Sequence, residues 1–475
     1  MTKNSGKNRI VAGIDLGTNN SSIAIYKLEK AEVLRGADDS KRLLGTKAND
    51  PLCKLYKNQW TFDTKRDIST GYCNYKIGGK IYTPEEISAE VLKKLVTYAG
   101  EEEIDAVVLT VPAYFTSEQK EKILEAAKMA DLEVLQLICE PTAAAIAYGM
   151  EHAYINNEIL FVFDMGGGTF DITIIKIQNS KDFTVIALGG DSHLGGRDFD
   201  GLIVDWMLKE LEKQIGKIVL SPRKKHKMNE MAKEAKEALS QAVDAALQLS
   251  ELDNNASDVT FTRKDFEKAA NELLEKVKDS IITTLKCRQL KQQEINHVLF
   301  VGGASKMPMI ANILKALFKE AKFSSSIKAE EIVALGATRL AAKLSGQSNR
   351  IDIQGLNVQD VTSSMIGIEI FEDNKSTFKK IFDCTTPYGT EMIVPLATTE
   401  DNQTKCEIPL YEGLSANIEK NNYIGSIIIN DLKPRKKGEI TINVHLQINK
   451  NGILSVVGGE SNCVVYYETQ LKSVN

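Results

Sequence analysis

Two aspartates stand where an apolar run gives way to glycine: Asp15 in Ile14-Asp15-Leu16-Gly17-Thr18, and Asp164 in Phe163-Asp164-Met165-Gly166-Gly167-Gly168-Thr169. They lie 149 residues apart (164 − 15), about one domain length, and Asp171 opens the next apolar run after the second turn. A third apolar run ends in Gly302-Gly303. Glycine at such turns lets backbone N–H groups close on phosphate oxygens without a side chain in the way. Magnesium keeps most of its waters and is usually held by one or two carboxylates together with substrate phosphates, so the pattern suits a metal–nucleotide in a cleft. Taken singly, each aspartate reads equally well as a turn residue beside turn glycines. Their recurrence before the same Gly-Thr pattern favours the functional reading. Neither G-x-x-x-x-G-K-[ST] nor G-x-G-x-x-G occurs, so phosphate binding has to come from these turns.

The elements that must position these residues are legible in the same stretches. Ile10 to Ile14 predicts a strand, and the alternation through Ile23 and Ile25 predicts a returning hairpin. Ile159 to Phe163, followed by Ile172, Ile174 and Ile175, repeats the plan, which implies two similar lobes. Thr83-Pro84-Glu85-Glu86 and Thr116-Ser117-Glu118-Gln119 are helix starts with reciprocal caps. The strand Ala106 to Val111 precedes the second of them, and strand–helix alternation favours an α/β sheet. Met228 to Leu285 reads as mostly helical, charged and alanine-rich, ahead of a strand from His297 to Val301. After about Ser345 the texture changes. Gly346 to Arg350 is small and polar, and beyond Val361 helical periods give way to β alternation. Ile440, Ile442, Val444, Leu446 and Ile448 alternate with polar residues, and Asn451-Gly452 supplies a tight turn into Ile453 to Val457. The expectation is a two-lobed α/β unit followed by a small antiparallel β domain.

Composition narrows the function classes. The chain has 475 residues, 43% hydrophobic and 26% charged, which suits folded globular domains and rules out collagenous or wholly disordered readings. A net charge of −5 gives no field that attracts nucleic acid, and the basic stretch Pro222 to Lys227 reads as a solvated helix face. The seven cysteines are odd in number, scattered and without a C-x-x-C pair, and the five histidines never fall at metal-ligand spacing. No run reaches the apolar length of a membrane span, and the N-terminus lacks the apolar core of a signal peptide. The cytoplasm is the expected compartment, with no nucleic acid or membrane as direct partner.

With these blocks in view, the chain resembles the heat shock protein 70 family. The resemblance rests on Ile14 to Thr18, Val111-Pro112-Ala113-Tyr114-Phe115, Glu140-Pro141-Thr142 through Tyr148-Gly149, Phe163 to Asp171, His193-Leu194-Gly195-Gly196 with Asp198-Phe199-Asp200, and Val301-Gly302-Gly303. Leu410-Tyr411-Glu412-Gly413 and Asn449 to Leu454 extend it into the β domain. It implies an actin-like two-lobed ATPase domain over 1–346, a short linker over 347–362 and a β-sandwich substrate-binding-like domain over 363–475 without a helical lid. It also implies ATP or ADP with Mg²⁺ in the cleft. By motif, Asp15, Asp164 and Asp171 would organise the hydrated metal, and Thr18 and Thr169 would contact phosphates. Lys41, in Ser40 to Gly45, matches the catalytic lysine that holds the attacking water and the γ-phosphate; Glu140 would assist the metal, and Asp164 would orient the water. Gly17, Asn19, Gly166, Gly167, Gly168, Gly302 and Gly303 would line the nucleotide, with Lys236 and Ser240 at its adenine end.

Departures from the family pattern carry their own expectations. Lys41 follows Asp15 by only 26 residues (41 − 15), so part of the first lobe's outer subdomain is missing. Lys233 and Glu237 stand where a glutamate and an arginine are usual, removing a guanidinium plane that could stack on adenine. Asn19 and Ala304 each replace a hydroxyl. Val358-Gln359-Asp360-Val361-Thr362 lacks the family's leucine run, so no hydrophobic segment is expected to dock on the ATPase domain. Gln136 and Thr116-Ser117 differ at positions that meet J-domain partners. The first substrate loop, Phe371-Glu372-Asp373-Asn374, is polar where the family is apolar. The resemblance thus implies a chaperone that binds and slowly hydrolyses ATP, weakly coupled to unfolded polypeptide or nascent chain, with a J-domain co-chaperone and a nucleotide exchange factor as expected partners. The alternative is a non-cycling member that regulates a J-protein, for example at the ribosome.

Overall fold

The computed structural model describes residues 9–17, 20–26, 30–35, 40–50, 53, 63–100, 103–151, 157–191, 193–324, 331–346, 351–372 and 375–460. The first lobe runs β1 (Val11–Asp15), β2 (Asn20–Ile25), β3 (Lys30–Arg35), α1 (Ser40–Leu43), β4 (Asp63–Arg66), β5 (Cys73–Ile77), β6 (Lys80–Tyr82), α2 (Pro84–Thr97), β7 (Ala106–Val111), α3 (Ser117–Met129), β8 (Val134–Cys139) and α4 (Glu140–Glu151). Its main sheet has the order β3-β2-β1-β7-β8, with β1 antiparallel to β2 and parallel to β7. Both predicted capping boxes form: Thr83 and Glu86 fix the start of α2, and Thr116 and Gln119 that of α3. Strands buried on both faces read as continuous apolar runs, as Ala106–Val111 does.

The second lobe repeats this plan. It runs β9 (Glu158–Met165), β10 (Phe170–Gln178), β11 (Asp182–Asp191), α5 (Gly196–Ile215), α6 (Pro222–Leu239), β12 (Asp244–Leu247), β13 (Val259–Thr262), α7 (Arg263–Ala269), α8 (Asn271–Cys287), β14 (His297–Val301), α9 (Pro308–Leu317), β15 (Lys322–Ser324) and α10 (Ile332–Leu344). Here β9, β10 and β11 form the antiparallel meander, and β14 joins β9 in parallel as β7 joins β1. The stretch from Met228 to Leu285, expected to be mostly helical, is helical at both ends and carries the β12–β13 hairpin between them. Its strand Asp244–Leu247 alternates exposed and buried residues, and two alanines there mimic helix composition. In α6, Lys224 and Lys227 pair with Asp253 and Glu251, in keeping with a solvated face.

The segment after the second lobe differs from expectation. It forms α11 (Ile351–Gln354) and β16 (Asn357–Gln359), and β16 adds to the open edge of β11 as a parallel strand. Leu356 and Val361 are buried in the core cluster shared by β9, β10, β11, α4 and α10, and Val358 packs against it. The missing leucine run therefore does not leave the linker without an apolar anchor. Three spaced aliphatic residues on a borrowed sheet edge replace it.

Beyond it lie β17 (Met365–Glu372), β18 (Lys375–Phe382), β19 (Glu391–Ala397), β20 (Cys406–Gly413), β21 (Asn422–Ile429), β22 (Thr441–Ile448) and β23 (Leu454–Glu460), in sheets of order β18-β17-β20-β21 and β19-β22-β23. They enclose one core, to which Ile442, Val444, Leu446 and Ile448 contribute the alternation seen in the sequence. Phe371 is 69% exposed, and the neighbouring Asp373 and Asn374 lie outside the described residues. This domain is fastened to the first lobe. Asp360 accepts hydrogen bonds from Cys139 N–H (3.1 Å) and Thr142 Oγ1 (2.6 Å). Leu137 N–H donates to Asn451 Oδ1 (2.9 Å), and Lys120 Nζ donates to Tyr388 Oη (2.9 Å) and Gly452 O (3.2 Å).

Candidate functional site

The two lobes enclose a cleft of ≈ 490 Å³, within the range of ligand sites. Asp15, Gly17, Lys41, Glu140, Asp164, Gly166, Gly167, Thr169, Lys236, Ser240, Gly302 and Gly303 line it, together with Lys233, Glu237 and Ala304. Asp171 is 2% exposed and sits beside Asp164 across the β9–β10 ladder, behind the wall of the cleft. Gly168 is buried against Gly195, where an added Cβ would lie 2.6 Å from the Gly168 nitrogen. Thr18 and Asn19 lie outside the described residues.

Local structure explains the placement. Asp15 closes β1, and Asp164 stands near the end of β9. Gly302 follows β14 at φ 75°, where an added Cβ would lie 2.4 Å from Met165 O and 2.9 Å from Asp164 Oδ1, so only glycine fits. The glycine turn after β9 is tied to the start of α5: Gly196 N–H donates to Gly166 O and Arg197 N–H to Gly167 O, each at 2.9 Å. This holds the turn's backbone in place against the start of α5, whose first N–H groups are taken up by the turn's carbonyls.

The electrostatics are those of crowded acids. Lys41 Nζ pairs with Glu140, and both are buried. Burial alone would lower the Lys41 ammonium, but Glu140, Asp15 and Asp164 outweigh it and hold it above its ordinary value. Burial pushes Glu140 up to about 7, partly offset by Lys41. Burial and then Glu140 push Asp171 up to about 8. Asp164 and Asp15 are raised as well, chiefly by burial, and Thr110 Oγ1 steadies Asp15 by donating to its Oδ1 at 2.9 Å. Lys236 is engaged by Asp200 Oδ1 at 2.7 Å. Half-buried Asp15 and buried Glu140 and Asp164, with buried Asp171 behind them, thus crowd around the buried Lys41 ammonium, an arrangement that favours an added cation. Among the described residues no group of three or more Asp, Glu, His or Cys is arranged to hold a metal ion directly. The donor set therefore fits a magnesium that keeps its waters and arrives on a polyphosphate, rather than an all-protein cage.

Several lining residues escaped the sequence reading: Asn20, Gln241, Lys306, Met307 and Val333 line the cleft, and Thr110 bonds to Asp15, which does. Two of these had a signal. Thr110 is the lone hydroxyl in a wholly buried strand and so had to find a partner, and Lys306 closes the short turn that begins at Gly303.

Duplicated meanders, each with an acidic glycine turn at its first hairpin that opens on a shared cleft, define the actin-like nucleotide-binding fold, here followed by a β-sandwich. The family model described as "Hsp70 protein" matches residues 36–472, and the chain belongs to the heat shock protein 70 family. It is 34% identical to the chaperone protein DnaK of Thermotoga neapolitana over 95% of this chain and 78% of that protein. It is 32% identical to the chaperone protein dnaK of Cyanidium caldarium, over 95% of this chain and 78% of that protein. Identity to the chloroplastic heat shock 70 kDa protein 7 of Arabidopsis thaliana is 32%, over 94% and 67%. The chain is thus an Hsp70-like chaperone, and membership implies nucleotide binding, generally with Mg²⁺. Among the described residues no helix is long and apolar enough to cross a membrane.

Proposed function

We propose that this chain hydrolyses ATP in the interlobe cleft and uses the nucleotide to control a β domain that holds unfolded polypeptide. The buried Lys41–Glu140 pair inside a carboxylate cluster carries the reading. Phosphoryl transfer is catalysed mainly by positioning and charge neutralisation. When bound, Mg²⁺ would be held through its waters by Asp15, Asp164 and Asp171 and would supply positive charge that offsets the phosphates. The chain's own residues do the rest. The Gly166–Gly167 turn and Thr169 receive phosphates, Lys41 leaves Glu140 to hold the γ-phosphate and attacking water, and Asp164 orients that water.

Coupling has a short route. Glu140 opens α4 between Cys139 and Thr142, the two residues that grip Asp360 of the linker. Any shift of Glu140 when Lys41 departs is felt at the linker one turn away. The test is calorimetry with ATP followed by single-turnover hydrolysis, using the wild-type chain and Lys41→Ala. Binding should persist in both, and hydrolysis should fall by about 10²–10³ in the variant; equal, near-zero rates in both would end the enzymatic reading.

A second reading, a non-cycling regulator of a J-protein, draws support from Ser117. This residue lies where a J-domain partner is expected, is only 7% exposed, and accepts the Leu454 N–H of the β domain at 3.3 Å. A J-domain that leaves the single-turnover rate unchanged would favour it. J-domain and exchange-factor partnership and a cytoplasmic address are proposed on family grounds, with a chloroplast protein also among the relatives.

A further inference from the structure

Cys53 and Cys73 are 7% and 2% exposed and share a small apolar cluster with Leu43 and Tyr75. Cys73 opens β5, whereas Cys53 lies on the chain leaving α1. That chain is stitched to β5: Cys73 N–H donates to Thr46 O and Ala48 N–H to Gly71 O, both at 3.0 Å. Cys53 Sγ donates to Lys47 O at 3.5 Å, and Cys73 lies near enough in the cluster to raise the Cys53 thiol. Leu43, on the same helical turn as Lys41, packs in this cluster. Among the described residues no third His, Cys, Asp or Glu joins the pair to make a metal site. What remains is two-electron thiol chemistry next to the helix that carries the cleft's buried lysine.

We propose that Cys53 and Cys73 form a redox-active dithiol that hydrogen peroxide converts to an intramolecular disulfide, and that this bond clamps α1. The contact with Cys73, and then burial, keep the Cys53 thiol protonated. Either sulfur can attack first and gives the same disulfide, and the step is balanced from Cys73. Its thiolate attacks one peroxide oxygen, the O–O bond breaks, hydroxide leaves, and Cys73 becomes a sulfenic acid. The Cys53 sulfur then attacks that sulfur, the S–O bond breaks, and the departing hydroxyl takes the Cys53 proton as water. Two thiols lose two electrons and one peroxide gains them, giving one disulfide and two waters. Burial of both sulfurs keeps bulky disulfides such as oxidised glutathione out, so the oxidant has to be as small as peroxide. Bond formation draws the sulfurs to about 2.05 Å and joins β5 covalently to the chain leaving α1. The consequence for hydrolysis rests on the role given to Lys41 above; the bond and the clamp do not.

The full chain is treated with hydrogen peroxide, blocked with iodoacetamide in denaturant, digested without reduction and mapped by mass spectrometry. The expected product is a peptide pair joined through Cys53 and Cys73, about 2 Da lighter than its reduced parts and lost on adding dithiothreitol. It should vanish in Cys53→Ser and in Cys73→Ser, and the wild-type map decides alone if either variant fails to fold. Two carbamidomethylated cysteines, or sulfinic acid at either without the linked pair, would overturn the dithiol. The clamp is read by hydrogen exchange: amides over 40–50 should exchange about tenfold more slowly in the oxidised chain, and unchanged exchange would overturn it. A chain that forms the disulfide yet hydrolyses no ATP sinks the proposed activity and leaves this inference standing.

Discussion

At the scale of single residues, the cleft trades stability for charge. Asp171 and Glu140 are pushed up to about 8 and about 7, so the folded chain binds more protons than the unfolded chain between the ordinary carboxylate range and those values. Stability follows the difference in bound protons, so a surplus in the folded state means that stability falls as pH rises. The nucleotide-free chain, in chelator, should therefore lose melting temperature from pH 6 to pH 8.5. Asp171→Asn removes one buried charge, keeps the shape, and should flatten that slope. At pH 8.5 it should melt higher than wild type, each kcal/mol recovered appearing as about 2–4 °C. The same change should weaken magnesium-dependent nucleotide binding in calorimetry. A variant that melts lower at pH 8.5 would show that Asp171 is a structural hydrogen-bonding residue and not part of a crowded anionic site.

At the scale of elements, α10 is the strut beneath the first lobe's sheet. An added Cβ at Gly336 would lie 1.7 Å from Ala143 O of α4, and one at Gly13 of β1 would lie 2.2 Å from Thr338 N. Thr338 Oγ1 accepts the Gly13 N–H at 2.8 Å and donates to Ala24 O at 2.7 Å, locking α10 to two strands. Gly336→Ala should force α10 off α4 at a cost of about 1–3 kcal/mol, seen as a lower denaturant midpoint. Thr338→Val, which leaves the Gly13 N–H buried without an acceptor, should cost about 1–3 kcal/mol. A midpoint unchanged in both would remove α10 from this role. These contacts join residues hundreds of positions apart and leave no periodic trace, whereas the caps at Thr83 and Thr116 were readable because each is closed within one helical turn. The same distinction explains the misses. The β12–β13 hairpin hides behind alanines whose burial only the second lobe supplies, and β16 is too short to show an alternation of its own. The strand at β16 exists because β11 offers an open edge. Of the cleft, the aspartates and glycines were legible since turn chemistry is local; Thr110 and Lys306 were not singled out, since their roles depend on which strands become neighbours.

At the scale of the whole molecule, the question is what holds the β domain against the first lobe, and the answer is a few polar contacts of high individual cost. Asp360 is buried, its carboxyl raised by burial but steadied by Thr142 and the Cys139 N–H. Lys120 is also buried, its ammonium lowered by burial, and rests 4.9 Å from the centre of the Tyr388 ring while donating to its hydroxyl. Breaking such a contact leaves a buried group unpaired, worth about 1–3 kcal/mol, which is enough to shift a docking equilibrium by an order of magnitude. Asp360→Ala orphans the Cys139 N–H and frees the linker at the point where it meets α4, so it should undock the β domain most. Tyr388→Phe keeps the ring and leaves Lys120 its bond to Gly452 O, losing one acceptor and the Cys139 Sγ contact, so it should undock less. The two sites touch, since Tyr388 N–H donates to Asp360 O at 2.9 Å, and the double variant should therefore fall short of the sum of the single effects. Fluorescence transfer between dyes on α6 and β18 reads the separation directly. The expected order is wild type closest, Tyr388→Phe intermediate and Asp360→Ala farthest. Equal transfer in all three would mean that the apolar anchors Leu356, Val358 and Val361 hold the domains together without help from this polar seam.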